Sequence, residues 1–391
     1  MQKRLRHETP MQANTQPRVV FVSAILTHYR RSFHEQVREK LARHGCRYDL
    51  VYSHPFGAEA KKGDTIELDW AHRVPAHAFG NGERILLQLP LQHIAGAKLV
   101  VIGQENRLLL NYLLQTTPHQ LRPKIAFWGH GRNFQSRSPN GKAERWKRFW
   151  ATRVDWWFAY TDETRRHIES LGFPPERITV FNNAVDTSEA RALIKVVTPA
   201  RLAERRRELG INSQHVGVFV GGLYPDKRLT FLVEAADHIR VRVPDFTLIV
   251  AGGGEQLTLM KELASSRPWV KVLGPRFGAD KVELMLLGHL FLMPGLVGLA
   301  VVDAGAAGLP TVTTAFPYHS PEIAYIENGV NGMIVSDWED PKAYADAVTD
   351  VLENPFRLNA MRASAEQMAQ ALTIEAMADG FVEGVLKALV V

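Results

Sequence analysis

The chain has 391 residues, of which 46% are hydrophobic and 23% charged, and it contains a single cysteine. This length predicts two domains, and the composition excludes a disordered or fibrous protein. One cysteine, Cys46, excludes a disulfide framework and a metal site built from several cysteines. Residues 1–200 carry 30 Lys+Arg against 18 Asp+Glu, whereas residues 201–391 carry 17 against 23, so we expect the two halves to meet different partners.

The first half alternates apolar strands with amphipathic helices. The β-branched run RVVFVSA at 18–24 predicts a strand, and FHEQVREKLARHG at 33–45 predicts a helix that ends at a glycine. Further strands are predicted for CRYDLVYS (46–53), KLVVIG (98–103), KIAFWGHG (124–131), DWWFAYT (155–161) and RITVFNNAVD (177–186).

The second half repeats the same alternation after a polar, Arg-rich helix at 198–211. Strands are predicted for HVGVFVGG (215–222), FTLIVAGGG (246–254), VKVLG (270–274), HLFLMPG (289–295), LPTVTT (309–314) and NGMIVS (331–336). Strand–helix–strand repetition in both halves predicts an α/β protein with two doubly wound parallel sheets. Ligands of such sheets bind beyond the carboxyl ends of the strands, so we expect the site in the cleft between the two domains.

The uncharged run 284–302 has the length of a membrane span. Pro294 and Gly295 interrupt it, and it lacks flanking cationic and aromatic anchors on both sides. A buried strand, a turn and a helix account for the run better than a span does.

A glycine-rich turn with two cations, GGLYPDKR at 221–228, is the first candidate binding segment. Glycines allow a backbone to approach a ligand closely, and cations near a helix N-terminus suit a diphosphate. Gly221, Gly222, Lys227 and Arg228 are therefore candidate phosphate ligands, although a tight turn with a surface cation pair would look the same.

A carboxylate in apolar surroundings, Asp303, is the second candidate. Gly298 and Leu299 precede its helix and could offer free N–H groups to an anion. A buried carboxylate needs a partner, which predicts either a ligand hydroxyl or a satisfied core aspartate. Two further candidates are His130, which lies between glycines after a buried strand, and Glu322, which lies in SPEIAYIENGVNG at 320–332. For each of them a purely structural role is the alternative.

The segment 142–158 interleaves cations with aromatic residues. On a helix, Trp146, Phe149, Trp150 and Arg153 fall on one stripe. The pattern leaves two interpretations open: a helix that docks on anionic lipid, or one that buries its aromatic residues in the core.

The motifs together resemble the family-4 glycosyltransferases of the GT-B fold, over nearly the whole chain. VFVGGLYPDKRLTFLVEA is similar to the family's strand, loop and helix with a diphosphate-binding lysine, here Lys227, and VDAGAAGLPTVTT to the end of its E-x7-E motif. SPEIAYIENGVNGMIV, ITVFNNAVDT and GHG resemble further family segments. The second acid of E-x7-E is Asp303 here, and the position of the first is Gly295.

The resemblance implies domains at 1–197 and 198–372, and a last helix at 373–391 that crosses back to the N-terminal domain. It implies transfer of a sugar from a nucleotide-sugar to a glycan or lipid-linked acceptor, with retention and without a metal or other cofactor, in surface polysaccharide or glycolipid assembly. Lys227, Arg228 and the N–H groups at Gly298–Leu299 would hold the diphosphate, and Asp303 the ribose. The expected catalytic residues are His130 and Glu322, and the expected acceptor residues are His28, Tyr29, Arg30 and Arg132.

Two other functions remain open from the sequence: a nucleotide-sugar 2-epimerase of the same architecture, and a non-catalytic protein that binds polyanions or membranes through its basic half. We expect no nucleic-acid partner for the transferase. The basic, polar N-terminus has no apolar segment of secretory type, which predicts a cytoplasmic protein, with peripheral contact to the inner face of the plasma membrane through its basic half.

Overall fold

The computed structural model of the chain describes residues 16–57, 60, 64–80, 85–138 and 140–391. Its N-terminal half contains β1 (Arg18–Val22), β2 (Arg47–Tyr52), β3 (His72–Arg73), β4 (Ala76–Phe79), β5 (Ile85–Gln88), β6 (Leu99–Gly103), β7 (Lys124–Gly129), β8 (Trp156–Ala159) and β9 (Ile178–Val180). Seven of these strands form a parallel sheet in the order β3-β2-β1-β6-β7-β8-β9. β4 and β5 pair separately and antiparallel.

The C-terminal half contains a second parallel sheet in the order β12-β11-β10-β13-β14-β15. Its strands are β10 (Val216–Val220), β11 (Thr247–Ala251), β12 (Val270–Gly274), β13 (Leu290–Leu292), β14 (Thr311–Thr314) and β15 (Gly332–Val335). The predicted fold class, α/β with two doubly wound sheets, is confirmed.

Helices cover both faces of the sheets. They are α1 (Arg31–Arg43), α2 (Leu91–Ile94), α3 (Leu109–Thr116), α4 (Lys142–Ala151), α5 (Asp162–Ser170), α6 (Ser188–Val196), α7 (Pro199–Glu208), α8 (Leu229–Arg242), α9 (Leu257–Ala264), α10 (Gly278–Leu286), α11 (Ala300–Ala306), α12 (Pro341–Leu352), α13 (Pro355–Ala371) and α14 (Ile374–Val390). Short 3₁₀ turns lie at His28–Arg30, His119–Leu121, Pro175–Arg177, Pro225–Lys227 and Pro321–Tyr325.

The central strand β1 shows why the strand sequences are apolar at every position and do not alternate between apolar and polar residues. Val19 and Phe21 pack into the core on one face of the sheet, and Val20 and Val22 into the core on the other face. Successive side chains of a strand point to opposite faces, so a strand covered on both sides must be apolar at every position. Each such side chain contributes about 1.5–3 kcal/mol by its burial.

The last helix, α14, packs on the N-terminal sheet. The Phe381 ring lies 4.4 Å from that of Phe158, centroid to centroid, and Lys124 Nζ donates to Ala388 O over 3.0 Å. A Cβ on Gly384 would lie 2.5 Å from Thr179 Oγ1, so this glycine permits the close approach. The predicted return of the C-terminal helix to the N-terminal domain is therefore confirmed as part of the fold.

Helix α6, which the sequence analysis assigned to the N-terminal domain, packs against the other half. Ile194 lies on the core of the second sheet, and Arg191 Nη2 donates to Ala369 O over 2.6 Å. The domain boundaries at 197 and 372 stay a prediction.

The uncharged run 284–302 is divided between the end of α10, strand β13, a turn and the start of α11. Within the described part of the chain, no helix has both the length and the apolar character that crossing a bilayer requires. Most side chains of the run belong to the hydrophobic core that packs around the second sheet.

Candidate active site

The loops that follow the carboxyl ends of the two sheets meet across a cleft. Gln135, after β7, donates from Nε2 to Ser320 Oγ over 3.2 Å, and Tyr325 donates its hydroxyl hydrogen to Asn183 O over 2.8 Å. Residues from both halves can therefore act on one ligand here, as the topology predicts.

The glycine loop after β10 holds a buried ammonium group. Gly221 has a φ of 154°, and the turn that follows ends at Lys227, whose Nζ donates to Leu296 O over 2.5 Å. Burial lowers the pKa of Lys227 from 10.5 to about 8. A cation that has lost much of its hydration gains strongly from a nearby anion, which suits a diphosphate.

The backbone of this loop explains why position 295 carries no acid. Leu296 N donates to Asp226 O over 2.8 Å, and a Cβ on Gly295 would lie 2.1 Å from Asp226 O and 2.7 Å from Lys227 C. Only glycine fits at that distance. The first acid of E-x7-E is thus sterically excluded, because the lysine loop occupies its place.

Arg228 is predicted to be a phosphate ligand, but the structure gives its side chain other contacts. The residue adopts a left-handed conformation with a φ of 57°. Its Nη1 donates to Trp338 O over 2.5 Å, and the guanidinium lies 4.1 Å from the Phe231 ring centroid. These contacts hold Arg228 against Trp338 and Phe231, and its role as a phosphate ligand stays a prediction.

The stretch around Asp303 is held by neighbouring elements. Val297 N donates to His319 Nδ1 over 3.0 Å, and His319 Nε2 donates to Thr314 O over 2.8 Å, which fixes the turn before α11. Gly298 has open space at its Cβ position. α11 has only seven residues.

Asp303 was expected to need a partner, and the structure provides one in Lys281 of α10, whose Nζ lies 3.1 Å from Asp303 Oδ2. The Asp303 side chain is 24% exposed, so it is accessible rather than sealed in the core. Its carboxylate therefore keeps acceptor capacity for a ligand hydroxyl.

His130 lies after β7 at two cavities of about 610 and 270 Å³ that it helps to line. Burial, and then the charges of Lys147 and Arg30, lower its pKa to about 3, so the imidazole is neutral at ordinary pH. Its ring stands edge-on to Tyr160 at 4.3 Å between centroids. Its Nδ1 has no hydrogen-bond partner among the residues that the structure describes.

A buried chain of hydrogen bonds joins Arg30 to Glu322 across the cleft. Arg30 Nη2 donates to Asn183 Oδ1 over 2.6 Å, and Asn183 Nδ2 donates to Glu322 Oε1 over 2.5 Å. Burial raises the pKa of Glu322, and the hydrogen bond from Asn183 opposes that rise. Arg30 also lies over the rings of Trp128 and Tyr160, at 5.4 and 5.8 Å. The chain fixes the buried carboxyl group of Glu322 where the two halves meet.

The other predicted acceptor residues lie nearer the surface. His28 Nδ1 is 3.2 Å from Asp64 O, and Tyr29 is 37% exposed and lines the larger cavity beside His130. Arg132 pairs with Glu163 at 2.7 Å and lines a separate cleft of about 720 Å³ with Pro317 and Tyr318. The structure thus gathers Arg30, Tyr29 and His130 at one cavity and places Arg132 beside it.

Three polar residues of the site were missed from the sequence: Asn183, Gln104 and Lys147. Asn183 stands in the quoted segment 177–186, but an asparagine in a loop carries no signal of its own. Gln104 directly follows β6, and that strand-end position was the available signal. Within the described ranges, no cluster of three or more His, Cys, Asp or Glu side chains could hold a metal ion.

In comparison with known protein families, two family models match the chain, the first in its N-terminal half and the second in its C-terminal half. The model described as Glycosyltransferase Family 4 matches residues 35–189, and the model described as Glycosyl transferases group 1 matches residues 214–354. The chain is also 29% identical over 237 residues to a D-inositol 3-phosphate glycosyltransferase of Rhodococcus jostii (strain RHA1), covering 57% of this chain and 50% of the relative.

A second relative is the GDP-mannose-dependent alpha-(1-6)-phosphatidylinositol monomannoside mannosyltransferase of Mycolicibacterium smegmatis (strain ATCC 700084 / mc(2)155). It is 30% identical over 176 residues, which are 42% of this chain and 45% of the relative. In both comparisons the chain spans about half the length of the curated relatives it matches.

Solved structures share the fold over almost the whole chain. Anabaena Alr3699/HepE in complex with UDP has a TM-score of 0.68 at 18% identity, covering 95% of this chain and 99% of that one. WaaG, a glycosyltransferase involved in lipopolysaccharide biosynthesis, has a TM-score of 0.61 at 16% identity, covering 93% and 98%. Since two successive family models and a common fold agree, this protein belongs to the family-4 glycosyltransferases of the GT-B fold.

Proposed function

We propose that the protein transfers a sugar from a nucleotide-sugar donor to a glycan or lipid-linked acceptor. The observation that carries the proposal is the buried Lys227 ammonium on a glycine loop, on the side of the cleft opposite His130. The similarity to named glycosyltransferases supports the reaction type, and HepE, which shares the fold, binds UDP and glucose.

In this proposal Lys227 neutralises the diphosphate that leaves, which lowers the barrier to breaking the sugar–phosphate bond. Asp303 accepts hydrogen bonds from the ribose, with Lys281 holding its carboxylate in place, and the N–H groups at Gly298–Leu299 lie beside the phosphates. Because a side chain supplies the positive charge, we propose transfer without a bound metal or other cofactor.

The reacting carbon of the donor would lie beside His130 and Glu322. The neutral His130 can place its backbone carbonyl or imidazole against the positive charge that develops on the sugar. Glu322, held by Asn183, would bind donor hydroxyls. The acceptor would enter past Arg30, on the same face of the sugar as the leaving diphosphate. Attack from that face keeps the configuration of the anomeric carbon, and on this basis we propose retention.

The acceptor class and the place of action belong to the same proposal. We propose surface polysaccharide or glycolipid assembly at the cytoplasmic face of the membrane. The support is α4, where Trp146 and Phe149 are 49% and 53% exposed and Arg153 lies 4.3 Å from the Phe149 ring centroid. Exposed aromatic rings among cations suit the interface of an anionic bilayer.

The test replaces Lys227 by methionine, which keeps the length of the side chain and removes its charge. Turnover of labelled nucleotide-sugars, chosen by a thermal-shift screen of UDP-, GDP- and ADP-sugars, should fall by about 100-fold or more. Lys261→Met, on the exposed face of α9, is the matched control and should keep full activity.

Turnover at the wild-type rate in a folded Lys227→Met protein would refute the assignment. The same assay without acceptor separates the 2-epimerase, since an epimerase converts the sugar whereas a transferase at most hydrolyses it slowly. Salt-sensitive binding to polyanions without affinity for any nucleotide-sugar would instead favour the non-catalytic alternative.

A further inference from the structure

The smaller cavity, of about 270 Å³, contains polar groups that the scheme above does not use. It lies at the carboxyl ends of β1, β6 and β7, and Gln104, His130 and Lys147 line it together with the rings of Trp128 and Tyr160. It adjoins the larger cavity, which shares Trp128, His130 and Tyr160 with it. A ligand that enters the cleft from the N-terminal side reaches both.

Gln104 is held rigidly at the cavity wall. Its backbone N–H donates to Trp128 O over 3.0 Å, and the residue is 8% exposed. Neither Oε1 nor Nε2 of its amide has a hydrogen-bond partner within the described part of the chain. Each buried polar group without a partner costs about 1–3 kcal/mol, so the amide is explained by a ligand that supplies the bonds.

Lys147 brings a positive charge to the same cavity from α4. Burial lowers the pKa of Lys147, and its charge acts on His130 across the cavity. The charges of Glu144 and Glu105 act on Lys147, and Glu105 also lines the cavity. Both acids have partners of their own: Glu105 Oε2 pairs with Arg107 at 2.7 Å, and Glu144 Oε2 accepts from Asn133 N over 3.3 Å. Among the described residues, no carboxylate forms a salt bridge with Lys147.

These groups define the ligand by complementarity. An ammonium that forms no salt bridge among the described residues can pair with an anion, and an amide with a free donor and a free acceptor calls for hydroxyl groups. The neutral imidazole of His130 adds one more polar atom, and the aromatic wall suits the face of a sugar ring. The neighbouring Arg30, on the wall of the larger cavity, makes the surroundings more positive.

We propose that the cavity binds a hydroxylated group carrying a phosphate, with Lys147 pairing with the phosphate and Gln104 hydrogen-bonding the hydroxyls. That this group belongs to the acceptor rests on the function proposed above; that an anion binds here does not. The acceptor of the transfer is then a phosphorylated sugar or polyol, free or as the headgroup of a lipid.

The experiment measures binding of three probes by calorimetry: inorganic phosphate, glucose 6-phosphate and glucose. The wild type should bind glucose 6-phosphate at least tenfold more tightly than glucose. Lys147→Met should remove that difference, and Gln104→Leu should weaken glucose 6-phosphate several-fold while phosphate binding stays. Arg145→Met, on the exposed face of the same helix, is the matched control and should bind as the wild type does.

Two further arms separate this site from the donor site. Lys227→Met should lose binding of the nucleoside diphosphate whose sugar the thermal-shift screen selects, and it should keep glucose 6-phosphate binding. Lys147→Met should keep the nucleoside diphosphate and lose glucose 6-phosphate. Short-chain phosphatidylinositol, compared with free inositol phosphate, distinguishes a lipid headgroup from a soluble acceptor.

The proposal is overturned if Lys147→Met binds glucose 6-phosphate like the wild type, if Lys227→Met abolishes that binding, or if the wild type does not distinguish the phosphate from the neutral sugar. Failure of the proposed function has a different signature, namely that no nucleotide-sugar binds or reacts while the Lys147-dependent binding of phosphate persists. Unchanged melting temperatures of the variants would show that lost binding is not lost folding.

Discussion

The two halves of the cleft treat their polar groups differently. On the C-terminal side Lys227 donates to Leu296 O, Asp303 pairs with Lys281, and both ring nitrogens of His319 are engaged. On the N-terminal side the Gln104 amide and His130 Nδ1 have no partner among the described residues. The groups on the C-terminal side are held in place before a ligand arrives. On the N-terminal side Arg30 and Asn183 are also paired, but Gln104 and His130 leave hydrogen bonds for a ligand to complete.

The contrast fits the donor and acceptor sites that we propose for the two sides. A donor site that always meets the same nucleotide gains from groups fixed in advance, because little reorganisation is needed on binding. An acceptor site whose polar groups are left unpaired discriminates strongly, since a wrong ligand leaves them buried and unsatisfied. The three predictions below test the two sides separately.

The largest effect is expected where the C-terminal side is most tightly assembled. Gly295→Ala places a Cβ 2.1 Å from Asp226 O and must push the lysine loop aside. The free energy of unfolding should fall by about 1–3 kcal/mol, the range for overpacking of an interior. Urea denaturation of the full chain measures it.

Gly298→Ala is the matched control three residues later, because no atom lies within 4 Å of its Cβ position. It should change the free energy of unfolding by less than about 0.5 kcal/mol. Equal costs for the two variants would show that the loop is not packed on Gly295, and the explanation for the absent acid would fail.

The next effect concerns pH. The pKa of Lys227 is about 8, so its ammonium is charged below that pH and neutral above it. The diphosphate of the donor's nucleotide is fully ionised above pH 7. Affinity for that nucleotide, taken as UDP unless the thermal-shift screen selects GDP or ADP, should therefore fall about tenfold between pH 7 and pH 9. The imidazole of His130, with a pKa of about 3, stays neutral over this range, so acceptor binding should not change through His130.

The control for the pH profile is Lys227→Arg, whose guanidinium stays charged and should give a flat UDP affinity. Stability should move in the opposite sense to affinity in the wild type. The folded state binds fewer protons than the unfolded chain between pH 8 and 10.5, so unfolding becomes less favourable as pH rises through that window. A UDP affinity that falls equally in Lys227→Arg would refute the assignment.

The smallest effect is expected at the surface of the N-terminal half. Replacing Trp146 and Phe149 by serine should lower binding to vesicles containing phosphatidylglycerol by about fivefold, because two aromatic rings no longer reach the interface. Phosphatidylcholine vesicles provide the uncharged comparison. Cosedimentation measures the bound fraction.

Exposed aromatic residues also occur in the C-terminal half, at Phe277 and Phe356, and they supply the control. The corresponding double serine variant should bind vesicles like the wild type. If both double variants lose binding equally, exposed aromatic area alone drives vesicle binding, and the membrane contact proposed for α4 is wrong.

Much of the architecture could be read from the amino-acid sequence. Apolar runs separated by amphipathic helices predicted both parallel sheets, because covered strands must be apolar on both faces. The local motifs also located the glycine loop with Lys227 and the helix with Asp303, since a loop and the helix after it are near neighbours in sequence. Segment 142–158 was left undecided between core and interface, and in the fold Trp146 and Phe149 are exposed.

The tertiary structure alone decided what these residues touch. Arg30, Asn183 and Glu322 are separated by 153 and 139 positions, and no periodicity connects them. Arg228 turned toward Trp338, 110 positions away, and Gly295 was required by a backbone that lies 69 residues earlier in the chain. The sequence determined the elements because their patterns are local. The partners of each polar group followed from how the elements pack. So did the cavity where, among the described residues, the Gln104 amide has no hydrogen-bond partner and Lys147 has no salt bridge.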